Sequence, residues 1–331
     1  MTNTAKALII VVLALLTAVA VADTLKCNFC KKPLVGTYRI FEGKNLHDAC
    51  FQDHYALRCE HCRKPILAKY TVYQNRNLHD SCYNVAYAKY CGICDGAIEG
   101  QYYDNLWGDV VHASHIGEYP PCEYCGRLKA GRLTGKGLRY PDGREICGVC
   151  LESAVTRIAD ARGLLVKARE TLRKYGIQIE HDFRLKLINK NEMARLGPSG
   201  RSDLSGFAEL KERSALLGLV KERKIKIYAL SGLPEDVMLG VLAHELMHVW
   251  MFTQCPWETD EVLAEGSCEY AAYLALKDHR SDLARYCLEN MDQRDDPVYG
   301  IGYRKVSGFV QSVGVAGWLD YLKEHADPPW R

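Results

Sequence analysis

The sequence has almost no imbalance of charge. Its 331 residues carry 43 Lys and Arg against 41 Asp and Glu, a formal net charge of +2. Nothing in its electrostatics calls for a nucleic-acid partner. Long apolar runs are scarce too. The most extended, Ala7 to Ala22, has sixteen residues and falls slightly short of a membrane span. Cysteine is nearly missing from the second half: of 15 in the chain, all but Cys255, Cys268 and Cys287 lie between Cys27 and Cys150. That segregation excludes a uniform chain and points to a cysteine-dense N-terminal part joined to a conventional domain. Proline is missing between Pro234 and Pro256, which leaves room for an uninterrupted helix. The remaining composition, 48% apolar and 25% charged, is ordinary for a globular protein with room for two or three domains.

The apolar run has the context of a leader. Lys6 precedes it, and Ala20-Val21-Ala22 supplies the small residues a signal peptidase needs, followed by Asp23. The pattern reads as a secretory signal peptide cleaved after Ala22, so the mature protein is expected to be exported, to a periplasm or to the medium. An uncleaved N-terminal anchor is the alternative and the one route to a membrane.

The cysteines fall into a repeat. Cys27-x2-Cys30-x16-His47-x2-Cys50 is followed, after eight residues, by Cys59-x2-Cys62-x16-His79-x2-Cys82. The two align throughout, KKPLVGTYRIFEGKNLHDAC against RKPILAKYTVYQNRNLHDSC. A third unit, Cys91, Cys94, His112 and His115, begins after another eight residues, and a fourth, Cys122, Cys125, Cys147 and Cys150, after six. Each supplies four soft or borderline donors in two close pairs, which suits tetrahedral structural Zn²⁺ with no open position. Export favours disulfides as the rival account, but disulfides do not explain a His at the expected ligand positions of three units. Each unit is expected to form a knuckle, a β-hairpin, and a short helix opened by the second pair.

Val241 to Trp250 reads VLAHELMHVW. Residues four apart on a helix share a face. His244 and His248 can therefore present two imidazoles to one Zn²⁺, with Glu245 placed as general base. Pro234, Glu235 and Asp236 suit a first turn, and Leu239, Leu242, Leu246 and Val249 would bury the opposite face. A catalytic zinc needs a third protein ligand and an open position. Glu265, on a second helical pattern from Leu263, is the candidate ligand, and Glu269, one turn on, would accept a hydrogen bond from a ligating imidazole. The competing account makes both solvated charges on an amphipathic helix.

Around this motif, Glu152 to Lys174 reads as a long amphipathic helix leading straight out of the fourth unit. Phe183 to Ile188 and Lys224 to Leu230 alternate as strands. The latter is expected at a sheet edge, where an extended substrate would add to it. Gly197 to Ser202 reads as a loop, and Ser281 as the cap of a helix reaching about Met291. Trp318, Leu319 and Leu322 are core candidates. Tyr299, Tyr303 and Arg304 could donate to a transition-state oxyanion, with packing or surface roles as the alternative. Cys255 and Cys268 could form a disulfide or stay free thiols, and Cys287 looks like core.

Two Cys-x2-Cys-type pairs per unit resemble the fingers of LIM domains, tandem zinc-finger pairs that mostly bind proteins. The usual two-residue gap between paired fingers is replaced here by gaps of eight, eight and six. HExxH followed by a Glu on the next helix resembles the gluzincin metallopeptidases, thermolysin among them. From about Cys27 to Lys323 the chain resembles the LIM-containing peptidases of plants, ubiquitin-activated enzymes that limit organ growth, and their bacterial relatives. The most specific stretches are CEYC…PDGREICGVCLESAV (Cys122 to Val155), LAHELMHVWM (Leu242 to Met251), LAEG (Leu263 to Gly266) and DPVYGIGYR (Asp296 to Arg304). The resemblance implies that His244, His248 and Glu265 hold zinc and that Glu245 is the base. A signal pattern stands where ubiquitin-interacting helices would be, so activation by ubiquitin is not carried over, and an exported bacterial relative is expected.

The expectation is an α+β protein. A signal peptide spans 1–22, LIM-like finger pairs span 23–86 and 87–151, and a mainly α, gluzincin-like metallopeptidase domain with a small β-sheet spans 152–331. It would hold one catalytic and four structural zinc ions. Its partners would be protein or peptide substrates, with the fingers recognising protein or regulating the enzyme. The alternative is a non-catalytic protein-binding scaffold that retains the peptidase fold.

Overall fold

A computed structural model describes residues 25–197, 204–214, 220–255 and 259–330. The expected leader at 1–22 and most of the expected loop at 197–202 lie outside the described residues. The chain divides into two compact units, Met1–Gln101 and Tyr102–Arg331. The boundaries expected after 86 and 151 do not coincide with this division, which passes inside the third cysteine unit.

In the first unit the two aligned repeats fold alike. Arg39–Phe41 pairs with Lys44–Leu46, and Tyr70–Tyr73 with Arg76–His79. Their two-residue turns, Glu42-Gly43 and Gln74-Asn75, have positive φ at both positions, the conformation that matches the twist of a tight hairpin. Short helices Asp48–His54 and Asp80–Ala86 follow, with His47 and His79 as their N-cap residues. Each repeat buries little apolar surface, chiefly Leu46 with Phe51 in one and Leu78 with Ile66 in the other. Cores this small rarely hold a fold without a metal or a crosslink.

In the second unit a three-stranded sheet carries Val220–Leu230 in its centre, parallel to Phe183–Ile188 and antiparallel to Gly206–Ser214. The strand expected at the edge is therefore internal, paired on both sides. Its residues say why: Ile225, Ile227, Tyr228, Ala229 and Leu230 are all buried, and a strand covered on both faces belongs in a sheet interior. The edge beside the motif helix is Gly206–Ser214. Its charged run Glu209, Lys211, Glu212 and Arg213 hides any alternation.

The motif helix spans Glu235–Gln254 and is buried along its length, including Leu239, Leu242, Leu246 and Val249. The long amphipathic helix begins at Ile158 rather than Glu152. Glu152 ends the short helix Gly148–Glu152, and Ala154–Val155 then pairs with Leu233–Pro234. Glu261–Leu276 starts at Asp260, whose carboxylate accepts the amides of Val262 and Leu263. Ser281 caps Asp282–Gln293 through the amide of Ala284, and the last helical stretch, Gly300–Glu324, breaks at Gly314. Trp318, Leu319 and Leu322 are buried in the core. Gly266 and Gly302 let two helices cross backbone to backbone: a Cβ on Gly266 would lie 2.5 Å from the Gly302 carbonyl. That crossing fixes the helix on which Glu265 stands.

Candidate metal centres

The repeated spacing brings donors together. In each of the tetrads Cys27/Cys30/His47/Cys50, Cys59/Cys62/His79/Cys82 and Cys122/Cys125/Cys147/Cys150, the ligand atoms lie within 4.8 Å of one another. The third tetrad is divided by the unit boundary, with Cys91 and Cys94 on one side and His112 and His115 on the other. His47 turns Nδ1 to Cys30 Sγ (3.3 Å) and Nε2 to the Pro33 carbonyl (3.1 Å). His79 repeats the arrangement with Cys62 (3.4 Å) and the Pro65 carbonyl (3.1 Å). A carbonyl that accepts from Nε2 fixes the tautomer and leaves Nδ1 free to ligate. Burial opposes ionisation of Cys27 and Cys59, yet the backbone amides around each pull its thiol down to about 6. Thiolates held by amides and a tautomer-fixed imidazole fit Zn²⁺. The fourth tetrad differs in that all four cysteines are buried.

The fifth centre is built from two helices. One oxygen of Glu265, Oε2, lies 3.1 Å from His244 Nε2 and 3.5 Å from His248 Nε2. Glu269 Oε1 lies 3.5 Å from His244 Nδ1, on the other side of the ring. Arg294 Nη2 is 3.3 Å from the same Glu269 oxygen, and Arg294 Nε is 2.6 Å from Asp296. Burial works against a proton on His244, but the carboxylates of Glu265 and Glu269 hold its pKa well above the ordinary histidine value. Burial likewise opposes ionisation of Glu265, and the two imidazoles outweigh it and hold its carboxyl well below the usual range. Two imidazoles and a carboxylate that together demand positive charge suit a divalent cation.

Glu245 is 3% exposed. Burial pushes its carboxyl up, against the pull of His244 and His248, while the Ala208 amide on the edge strand donates to it. Its Oε2 is buried with no hydrogen-bond partner among the described residues. An orphaned carboxylate oxygen is costly unless a water, a proton or a substrate meets it.

The remaining predicted residues separate. The Tyr299 ring stacks near His244, centroids 6.2 Å apart. Tyr303 is buried among Tyr270 and Tyr273. Arg304 donates to the carbonyls of Asp292 (2.6 Å) and Arg294 (2.8 Å), so its guanidinium braces backbone instead of facing the imidazoles. Cys255 and Cys268 are not joined. Sequence reasoning missed two participants. Cys268 Sγ lies within 4.8 Å of a nitrogen of each of His244 and His248 and is fully buried. Its position three residues after Glu265, on the same helical face, was the available signal. Arg294, which closes the Glu269 side, had none, because it lies between helices.

No protein-family model matches the chain. Among curated proteins, it is 23% identical over 274 residues to "Protein DA1-related 7" of Arabidopsis thaliana, covering 63% of this chain and 48% of that one. "Protein DA1" of the same plant is 24% identical over 274 residues, covering 66% and 51%. "LIM domain-containing protein HDR3" of Oryza sativa subsp. japonica is 23% identical over 201 residues, covering 52% and 40%. The chain spans about half the length of these relatives, or less. Its homologues are thus DA1-related and LIM-domain proteins at low identity, and several of its Cys/His groups could bind zinc.

Proposed function

We propose that the chain is an exported zinc-dependent peptidase that hydrolyses peptide bonds in protein substrates, with LIM-like fingers for recognition or regulation. The observation that carries this reading is the meeting of His244 and His248 at one Glu265 carboxylate oxygen, beside a buried Glu245 whose Oε2 has no hydrogen-bond partner among the described residues. Zinc, when bound, would supply Lewis-acid polarisation of a carbonyl and a lowered pKa for water. Glu245 takes a proton in the attacking step and returns it to the leaving amine. The Ala208 amide on the edge strand donates to its carboxylate and helps to hold it in place. Glu269 orients His244, and against burial His244 together with Arg294 holds the Glu269 carboxyl below its usual range. An extended substrate would add to the edge strand Gly206–Ser214. Incubation with a peptide mixture, with and without a chelator, tests the activity. N-terminal sequencing of exported protein tests cleavage after Ala22.

One observation favours the second reading, a non-catalytic zinc-finger scaffold. Cys268 Sγ forms with His244 and His248 a set of donors within 4.8 Å of one another that does not include Glu265, and a thiolate bound there would take the position that a water needs. Replacing Cys268 separates the two readings.

A further inference from the structure

The turn from Ser231 to Pro234 delivers the chain from the central strand into the motif helix. Its backbone polar groups are tied one by one. Ser231 N donates to the Ile188 carbonyl at 2.9 Å and Gly232 N to the Val155 carbonyl at 2.7 Å. The two carbonyls are taken by the fourth cysteine unit. Arg144 Nη2 donates to Ser231 O at 2.9 Å, and the Tyr140 hydroxyl donates to Gly232 O at 3.1 Å. The fit is close: Gly232 has φ +85°, and a Cβ there would lie 2.5 Å from the Tyr140 hydroxyl oxygen.

Arg144 is itself held from several sides. It is 3% exposed, it pairs with Asp142 at 2.8 Å, and it donates to the Tyr124 hydroxyl at 2.7 Å. Asp142 also accepts the Lys190 amide at 2.9 Å. Tyr124 and Tyr140 pack on the buried cluster of Cys122, Cys125, Cys147 and Cys150. A continuous chain of contacts therefore runs from the four-cysteine cluster to the Ser231-Gly232 turn, three residues ahead of the motif helix.

We propose that Tyr140 and Arg144 are positioning residues for the His244/His248 centre, and that the four-cysteine cluster secures that centre through them. The catalytic meaning of this link rests on the peptidase reading, whereas the metal linkage stands apart from it. His244 lies nine residues beyond Glu235, about 13.5 Å along the helix axis. A tilt of ~5° at the turn moves the imidazole by about 1 Å along such a lever. Metal–ligand distances tolerate about 0.2 Å.

The test counts zinc on the full chain. Cys147→Ser is expected to lose two zinc ions relative to wild type, against one for Cys59→Ser in the other compact unit. Because Cys147→Ser could misfold, Tyr140→Phe and Arg144→Lys are measured beside it. Both should keep the cysteine-bound zinc and a wild-type near-UV circular dichroism spectrum. The ion at the histidine centre is identified as the one missing from His244→Ala. It should pass to a chromophoric chelator about tenfold faster than in wild type, the scale of one lost hydrogen bond. Where wild type cleaves peptides, kcat should fall with KM nearly constant. The proposal is overturned if the folded variants release that ion at the wild-type rate, if cysteine-bound zinc is released faster to the same degree, or if His244→Ala removes no zinc. Failure of wild type to cleave any peptide defeats the peptidase reading and leaves the zinc-release comparison intact.

Discussion

Glu245→Gln separates proton transfer from metal binding more cleanly than any other change at this site. The substitution keeps the length and shape of a side chain that is 3% exposed. The amide oxygen can still accept from Ala208. The new NH₂ replaces an oxygen that has no hydrogen-bond partner among the described residues, and a buried neutral amide costs less than a buried carboxylate. Stability should therefore stay level or rise slightly, and His244, His248 and Glu265 should keep their zinc. A general base contributes typically 10²–10⁴-fold, or about 2.7–5.5 kcal/mol of barrier at 1.36 kcal/mol per decade. Glu245 would also orient the attacking water, so the loss should reach or exceed the top of that range. As the base, Glu245 should set the acid limb of the wild-type kcat/KM profile. The residual activity of the variant should lack that limb. Steady-state kinetics on zinc-quantified protein decide. A zinc-loaded Glu245→Gln that cleaves as fast as wild type would refute the assignment.

Three further outcomes follow from the geometry. Cys268→Ala should retain zinc at the histidine centre and keep turnover within about threefold if Cys268 is a packing neighbour; loss of that zinc would instead mark the thiol as a ligand and support the scaffold. Gly266→Ala sets a Cβ against the rigid carbonyl of Gly302. It should lower stability by about 1–3 kcal/mol, the usual overpacking cost, and loosen Glu265, so a denaturant midpoint equal to wild type would contradict the crossing. Burial raises the Asp142 pKa, but Arg144 and the Lys190 amide more than offset it and leave the folded value depressed. Its stabilisation is thus present above the unfolded value of about 3.9 and lost as pH falls through the lower folded value. Asp142→Asn should be less stable than wild type at neutral pH, and urea midpoints of the two should converge in acid.

The parts of the molecule that were legible in the sequence are those where chemistry fixes spacing. Metal ligation demands soft donors in close pairs, so the tetrads could be named from Cys27 to Cys150. Two histidines four apart could be set on one face before any helix was seen. Caps were legible for the same reason: Ser281 announces a backbone bond that its side chain makes. What failed depended on tertiary neighbours. Lys224 to Leu230 alternates like an edge strand, but its second neighbour, Gly206–Ser214, is written in charged residues that carry no period. The helix expected from Glu152 starts at Ile158, because Ala154–Val155 finds a distant partner strand in Leu233–Pro234. Tyr303 and Arg304 share a motif with Tyr299, yet their surroundings part them: Tyr299 stands at the N-cap beside His244, Tyr303 is buried against Tyr270 and Tyr273, and Arg304 donates to backbone carbonyls. Arg294 and Cys268 enter through packing, which no spacing rule records.

Hydrolysis by the His244/His248/Glu265 centre is tested most directly by a peptide-mixture digest read by mass spectrometry. Purified zinc-loaded protein is incubated with a complex peptide library alone, with a chelator, and with zinc restored, alongside Glu245→Gln. New peptide termini are expected in the first and third digests and none with chelator or variant. The same termini with zinc-loaded Glu245→Gln as with wild type would contradict it. So would the lack of any new terminus with the wild-type chain, including after removal of Cys27 to Gln101, and the centre would then be read as a closed structural site.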